Sequence, residues 1–136
     1  MKRHVMWFDV AIYLIVAALV FGLRPRTHQY WIGLALFLFG LAFWITARLQ
    51  LGRSFAITAQ AKQLVTHGLY SKISHPIYFF AGIALVGILI GGQNWIALII
   101  GLLFYSMQLG RVKRENQVLE QAFGDDYRRY RAQTWF

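Results

Sequence analysis

The stretch from Ile77 to Leu109 carries no Asp, Glu, Lys or Arg, and no other feature constrains the fold as strongly. A membrane-crossing helix takes about 20 apolar residues, so this run is too long for one and suits two. Gly91-Gly92-Gln93-Asn94 sits at its centre, and these residue types close a tight helical hairpin. Two further runs are nearly as clean. Val10 to Leu23 continues the apolar Val5–Phe8 across the single Asp9, and Tyr30 to Ala47 is uncharged throughout. The pattern predicts an all-α integral membrane bundle of four transmembrane helices near 6–23, 30–47, 77–91 and 94–110. One domain then occupies residues 1–136, with a structured middle loop at 48–76 and an amphipathic helical tail at 111–136.

Composition agrees with this reading. Hydrophobic residues make up 58% of the chain and charged residues 14%, against roughly 25% charged in a soluble domain. The Met-Lys-Arg-His start invites comparison with a secretory leader. The run behind it is long for such a leader, no small-x-small cleavage motif precedes Arg24, and three more spans follow, so it reads as a span. With four spans, both termini and the middle loop share one side, and 12 of the 14 Lys and Arg residues fall there. Only Arg24 and Arg26 lie opposite. The positive-inside rule therefore places the termini and the middle loop in the cytoplasm of a multi-pass protein of the cell (inner) membrane.

The net charge of +9 rims apolar spans, where it suits anionic lipid headgroups rather than nucleic acid. Cysteine is absent, which excludes disulfides, thiol catalysis and thiolate metal sites. His4, His28, His67 and His75 include no i, i+4 pair, so no metal centre is expected.

Two segments exceed what a passive bundle needs. The middle loop carries Phe55, Ile57, Leu64, Val65, Leu69, Tyr70 and Ile73 as apolar anchors. In the tail, Val118, Leu119, Ala122 and Phe123 form one stripe, Gly124 stops the helix, and Tyr127, Tyr130 and Trp135 follow. Loops beyond about 12–15 residues in a compact domain are usually functional, so a site built from both pieces above the bundle is expected.

Between them lies Gly68–Tyr78, a polar segment ending in His75-Pro76-Ile77-Tyr78. Proline suits the first turn of a helix, where its missing N–H has no partner to lose. The third span would then present free N–H groups and its positive end to the cytoplasmic surface, an arrangement suited to a carboxylate or phosphate. His75 stands at the cap and Tyr78 on the first turn, where its ring can stack on a base. Glu115, just behind the fourth span, offers a carboxylate to an amino group or to ribose hydroxyls. The plain alternative is a capped helix start with an interfacial tyrosine.

The order of segments resembles the membrane methyltransferases of the isoprenylcysteine carboxyl methyltransferase and phospholipid methyltransferase superfamily. The residues carrying the resemblance are Leu51-Gly52-Arg53, Leu64-Val65-Thr66-His67-Gly68-Leu69-Tyr70, His75-Pro76-Ile77-Tyr78, and Glu115, Leu119, Phe123-Gly124, Tyr127 and Tyr130. The resemblance implies S-adenosylmethionine bound between the His-Pro-Tyr helix mouth and the Glu-bearing tail. It implies cofactor contacts from Leu64, Val65, Gly68, Tyr70, His75, Pro76, Tyr78, Glu115 and Asn116, with His75 and Glu115 as the catalytic pair and no metal. Its partners would be membrane lipids and a lipophilic or small acceptor: an isoprenylcysteine-like carboxylate, a phospholipid amine or a thiol. Three positions depart from the family pattern. Ser74 stands where an arginine is expected, Asn116 where a second glutamate is, and Phe80 where a glycine is common, with Gly82 two residues on. A positive and a negative charge are thus absent together, and the acceptor half of the site is where that bears most. The alternatives are a small four-helix transporter, with Asp9 as its one ionisable residue within a span, and a non-catalytic methyltransferase-like membrane protein.

Overall fold

The computed structural model describes residues 2–58 and 64–135, with side chains described for 7–51 and 64–135. Lys62 therefore lies outside the described residues, as do the side chains of Lys2, Arg3, His4, Arg53, Phe55 and Ile57. Five α-helices and one 3-10 turn account for the described regular structure, and no strand occurs among these residues. The helices are α1 (Lys2–Leu23), α2 (His28–Thr58), α3 (Pro76–Gly92), α4 (Trp95–Phe123) and α5 (Asp125–Gln133), and the turn is Gly68–Ser71.

Two apolar segments, His28–Leu51 in α2 and Trp95–Phe123 in α4, are long and apolar enough to cross a membrane, with mean hydropathies of 1.9 and 1.5. Trp7–Leu23 and Pro76–Gly92 are shorter apolar helices. Much of the apolar surface faces outward. Ile99, Ile100, Leu102, Leu103, Phe104 and Met107 of α4 are all exposed, as a lipid-facing helix requires and a soluble protein rarely permits.

Small residues decide how the helices meet. Without a hydrophobic drive between helices in lipid, association rests on close van der Waals fit, and glycine allows the closest approach. Helices α2 and α3 pack antiparallel in this way. A Cβ on Gly33 would lie 2.4 Å from the Gly91 nitrogen, one on Gly87 would lie 2.4 Å from the Phe37 nitrogen, and one on Gly40 would lie 2.5 Å from the Ala84 nitrogen. Above and below this seam, Phe37, Ala84 and Ile88 form one buried cluster with Ala17 of α1, and Trp44 and Phe80 form another with Val10 and Ile73.

The hairpin between α3 and α4 is built as the Gly-Gly-Gln-Asn sequence predicts. Gln93 takes the left-handed conformation at the end of α3, and the Asn94 side chain caps α4 by accepting from the Ile96 and Ala97 N–H groups. The Gln93 side chain also donates to the Pro25 carbonyl and to Thr27 Oγ1, which joins this turn to the α1–α2 connection.

Two boundaries differ from the sequence reading. The second helix does not end at Ala47; it continues to Thr58, so the first part of the expected middle loop is helical. Likewise the tail does not begin at residue 111, because α4 runs unbroken to Phe123. The physical reason is shared. Leaving the apolar zone changes polarity without supplying a helix stop, and Arg48-Leu49-Gln50 and Arg111-Val112-Lys113-Arg114-Glu115 are residues that sustain a helix. Gly124 does stop it, at φ 53°.

The seam is testable. Gly87→Ala should lower the thermal stability of the detergent-solubilised protein, on the order of 1–3 kcal/mol, because the atoms it meets are backbone and cannot turn aside. Gly110→Ala meets nothing within 4 Å, so it should leave stability unchanged or raise it by up to about 1 kcal/mol.

Candidate functional site

The segment before α3 is held from two sides. At Gly68 the backbone is left-handed, φ 62°, and a Cβ there would lie 2.6 Å from the Gln50 amide, so only glycine fits. Gln50 Oε1 in turn accepts from the Leu69 N–H at 2.9 Å, which ties the 3-10 turn to α2. Tyr70 is buried beside Val65, Ala47 and Leu51. Burial first, and then the Glu115 charge, raises its hydroxyl well above the usual phenol range, so it stays a neutral donor, directed at the Ala47 carbonyl.

From the other side, α5 docks on the same segment through one face. Tyr127, Tyr130, Arg131 and Thr134 share that face at i, i+3, i+4 and i+7 spacing. The Tyr130 hydroxyl donates to the Tyr70 carbonyl at 2.7 Å, Arg131 Nη1 donates to Ser74 Oγ at 3.1 Å, and the Trp135 N–H donates to the Lys72 carbonyl at 3.1 Å. Burial, with Tyr127 adding to it, pushes the Tyr130 hydroxyl up to about 12. Arg128, by contrast, faces outward and pairs with Glu120 and Asp125.

Between these supports sits His75, only 4% exposed, immediately before Pro76 at the first position of α3. Its ring does not cap the helix; it faces α4. Nε2 lies 2.5 Å from Asn116 Oδ1, which also receives the Tyr127 hydroxyl at 2.5 Å. An amide oxygen only accepts, so both His75 Nε2–H and the Tyr127 O–H donate to it. The Nδ1 lone pair is left facing Glu115, whose Oε2 is 3.9 Å away, beyond hydrogen-bond reach. Burial lowers the His75 pKa below the ordinary imidazole range; the Asn116 bond and the Glu115 charge oppose this, and Arg131 adds to it. The imidazole is therefore neutral at pH 7. One turn on, the Tyr78 hydroxyl lies close enough to Glu115 for the carboxylate to act on it, and the Tyr78 carbonyl receives the Tyr105 hydroxyl of α4 at 3.2 Å. Gly82 makes room for that contact, since a Cβ there would lie 2.6 Å from the Tyr105 ring. Phe80, the third departure from the family pattern, is a core residue stacked on Phe43 at 4.9 Å.

The sequence profile of the phospholipid methyltransferase family matches residues 28–126, from the first residue of α2 into α5. The chain belongs to the phospholipid methyltransferase family. No curated protein and no solved structure matches it. Membership assigns a methyltransferase activity associated with a membrane.

Of the residues singled out in the sequence, the fold brings His75, Tyr78, Glu115 and Asn116 of this phospholipid methyltransferase family member to one point, with Pro76 at the helix start beneath them. Val65, Gly68 and Tyr70 lie one layer out, and Leu64 is half-buried. Val65 is buried in the core, and Gly68 and Tyr70 shape and anchor the turn that delivers His75. Two residues were missed. Arg48 is 7% exposed, pairs with Asp9, and lies over the Trp44 ring at 5.0 Å and the Trp7 ring at 5.9 Å; a charged residue at a span end gave no hint of such burial. Arg131 is an ordinary residue of a charged tail in the sequence, and only the face that α5 turns inward selects it; Tyr127, part of the resemblance, is brought to Asn116 by the same face. Among the described residues, no cluster of His, Asp or Glu suits a metal ion.

The lowered His75 pKa has a measurable consequence. A depressed imidazole contributes stability that is intact above the unfolded value, about 6.5, and is lost as pH falls through the folded one. Thermal stability of the solubilised protein should decline from pH 7 towards pH 5, and His75→Gln should remove that part of the decline.

Proposed function

We propose that the protein transfers a methyl group from S-adenosylmethionine to a lipophilic or small acceptor at the cytoplasmic face of a membrane that α1, α2, α3 and α4 all cross. The observation that carries this reading is the meeting of His75, Tyr78, Glu115 and Asn116 at the mouth of α3 in a phospholipid methyltransferase family chain. The charge pattern of the sequence supports the orientation, with both termini in the cytoplasm. Asp9, the ionisable residue a transporter would need, is engaged with Arg48 instead.

The donor set fits this cofactor. Among the described residues, the Glu115 carboxylate has no cationic partner nearer than the neutral His75 ring, and at 36% side-chain exposure it is open to an ammonium group. The first intrahelical bond of α3 runs from the Phe79 N–H to the His75 carbonyl at 3.1 Å, so the N–H groups of Ile77 and Tyr78 lie ahead of it and can meet an anion. Bound there, S-adenosylmethionine supplies a methyl group already activated on a sulfonium centre. The residues then need only hold donor and acceptor in line and exclude water. Tyr78 positions the cofactor by ring contact. His75 presents Nδ1 as the group that takes a proton when the acceptor is an amine, whereas a carboxylate or thiolate acceptor requires no base.

An acceptor approaches along α4. A groove of about 320 Å³ is lined by Phe104, Met107, Gln108, Gly110, Arg111 and Arg114, apolar towards the span and cationic towards its cytoplasmic end. Arg111 is close enough for its charge to act on the Tyr78 hydroxyl, which joins the groove to the site. A phospholipid amine, an isoprenylcysteine-like carboxylate and a lipophilic thiol all suit such an approach.

Calorimetry with S-adenosylhomocysteine tests the reading. Binding is expected in the micromolar range, and none at millimolar ligand would overturn it. His75→Ala and Tyr78→Ala should each weaken binding several-fold, and an unchanged affinity removes that residue from the site.

A further inference from the structure

The family pattern places an arginine directly before the histidine and a second glutamate after the first, and this chain has Ser74 and Asn116 there. A cation nevertheless reaches the site. Arg131 of α5 sets its guanidinium 3.1 Å from Ser74 Oγ, and Ser74 itself is 6% exposed. The placement is fixed by the neighbours of Arg131 on the same face: Tyr127 is bonded to Asn116, and Tyr130 to the Tyr70 carbonyl. Beyond them, the Trp135 ring meets Phe79 edge-on at 5.3 Å. Among the described residues Arg131 forms no ion pair, whereas Arg128 on the outer face forms two. The Glu115 carboxylate stands 3.9 Å from His75 Nδ1, and both it and Arg131 are near enough for their charges to act on that ring.

Opposite charges thus stand near one neutral histidine at the mouth of α3. That is the complement of an α-amino acid end, whose carboxylate seeks a guanidinium and helix N–H groups and whose ammonium seeks a carboxylate. We infer that Arg131 is the carboxylate anchor of the cofactor site, delivered from α5 in place of the arginine absent at position 74, and that Arg131 and Glu115 together hold the amino acid end of the cofactor. The inference rests on the S-adenosylmethionine reading above and adds to it a residue outside the family motif. Losing the negative charge at position 116 belongs to the same change. Asn116 holds His75 and Tyr127 without neutralising Arg131, which leaves the guanidinium available to a ligand.

Two ligands separate this role from a structural one. S-adenosylhomocysteine carries the amino acid end, and methylthioadenosine shares the nucleoside and sulfur but lacks it. In full-length protein, Arg131→Gln keeps an N–H donor for Ser74 and removes the charge. It should weaken S-adenosylhomocysteine binding by about tenfold to a hundredfold, the range for a hydrogen bond to a charged group, and leave methylthioadenosine affinity unchanged. Adding Ser74→Arg to that variant should restore most of the loss. Equal weakening of both ligands, or no weakening of either, overturns the inference while leaving the cofactor reading intact. Should Arg131→Gln fail to fold, the exchange Ser74→Arg with Arg131→Ser carries the test: preference for S-adenosylhomocysteine over methylthioadenosine close to that of the unmodified protein supports the role, and its loss overturns it. If the unmodified protein binds neither ligand, the cofactor reading itself fails.

Discussion

The backbone contact between α2 and α3 is the constraint on which the rest depends. In a lipid environment no water-driven burial pushes two apolar helices together, so the pair is held by fit alone, and fit of this closeness requires glycine on both partners. Gly33 and Gly40 on α2, and Gly87 on α3, let the two helices approach to backbone contact, and Gly91 makes room for Phe21 of α1. Helix α3 is thereby fixed in height and rotation, and with it the position of its first turn. Since Pro76 opens that helix, the contact also sets where His75 and Tyr78 stand. Helix α4 follows through the short Gln93-Asn94 turn, and Tyr105 registers it against α3 by closing on Gly82.

At the other end of these helices the fold closes through one amide. Asn116 Oδ1 accepts from His75 on one side and from Tyr127 on the other, joining the start of α3, the extension of α4 and the face of α5. Both donors are neutral and the acceptor is neutral, which suits a buried junction where an unpaired charge would be costly. A carboxylate in that place would favour protonation of His75. The amide instead leaves the ring neutral, with a free lone pair towards Glu115. The departure at position 116 therefore has chemical content: it leaves His75 neutral and sets no second carboxylate beside it.

Membership in the phospholipid methyltransferase family and the shape of α4 fit together. Its outward apolar face, its groove between Phe104 and Arg114, and its polar extension carrying Glu115 and Asn116 lie on one uninterrupted helix. One uninterrupted helix thus holds the groove and the residues beside His75 in fixed relation. The same continuity in α2 carries Arg48 and Gln50 up to the turn that precedes His75, where Gln50 fixes Gly68 and Leu69.

The apolar runs, the Gly-Gly-Gln-Asn hairpin, the proline at the first position of α3 and the stop at Gly124 were all legible in the sequence, because each is local. Hydropathy sets which segments are apolar, and proline and glycine act on their own backbone. That His75, Tyr78 and Glu115 could share a site was legible in the helix-start chemistry and the family pattern, but their distances were not, since no spacing encodes how α3 and α4 pack. The continuation of α2 to Thr58 and of α4 to Phe123 was not legible, because the end of an apolar run marks a change of solvent and not the end of a helix. Nor were the burial of Arg48 against Trp44 and the inward turn of Arg131, which depend on how helices rotate against one another. The sequence by itself determined an all-helical apolar protein with a polar His-Pro-x-Tyr junction. Tertiary structure alone decided which charges reach that junction, because a guanidinium brought from α5 to Ser74 depends on packing between segments far apart in the chain.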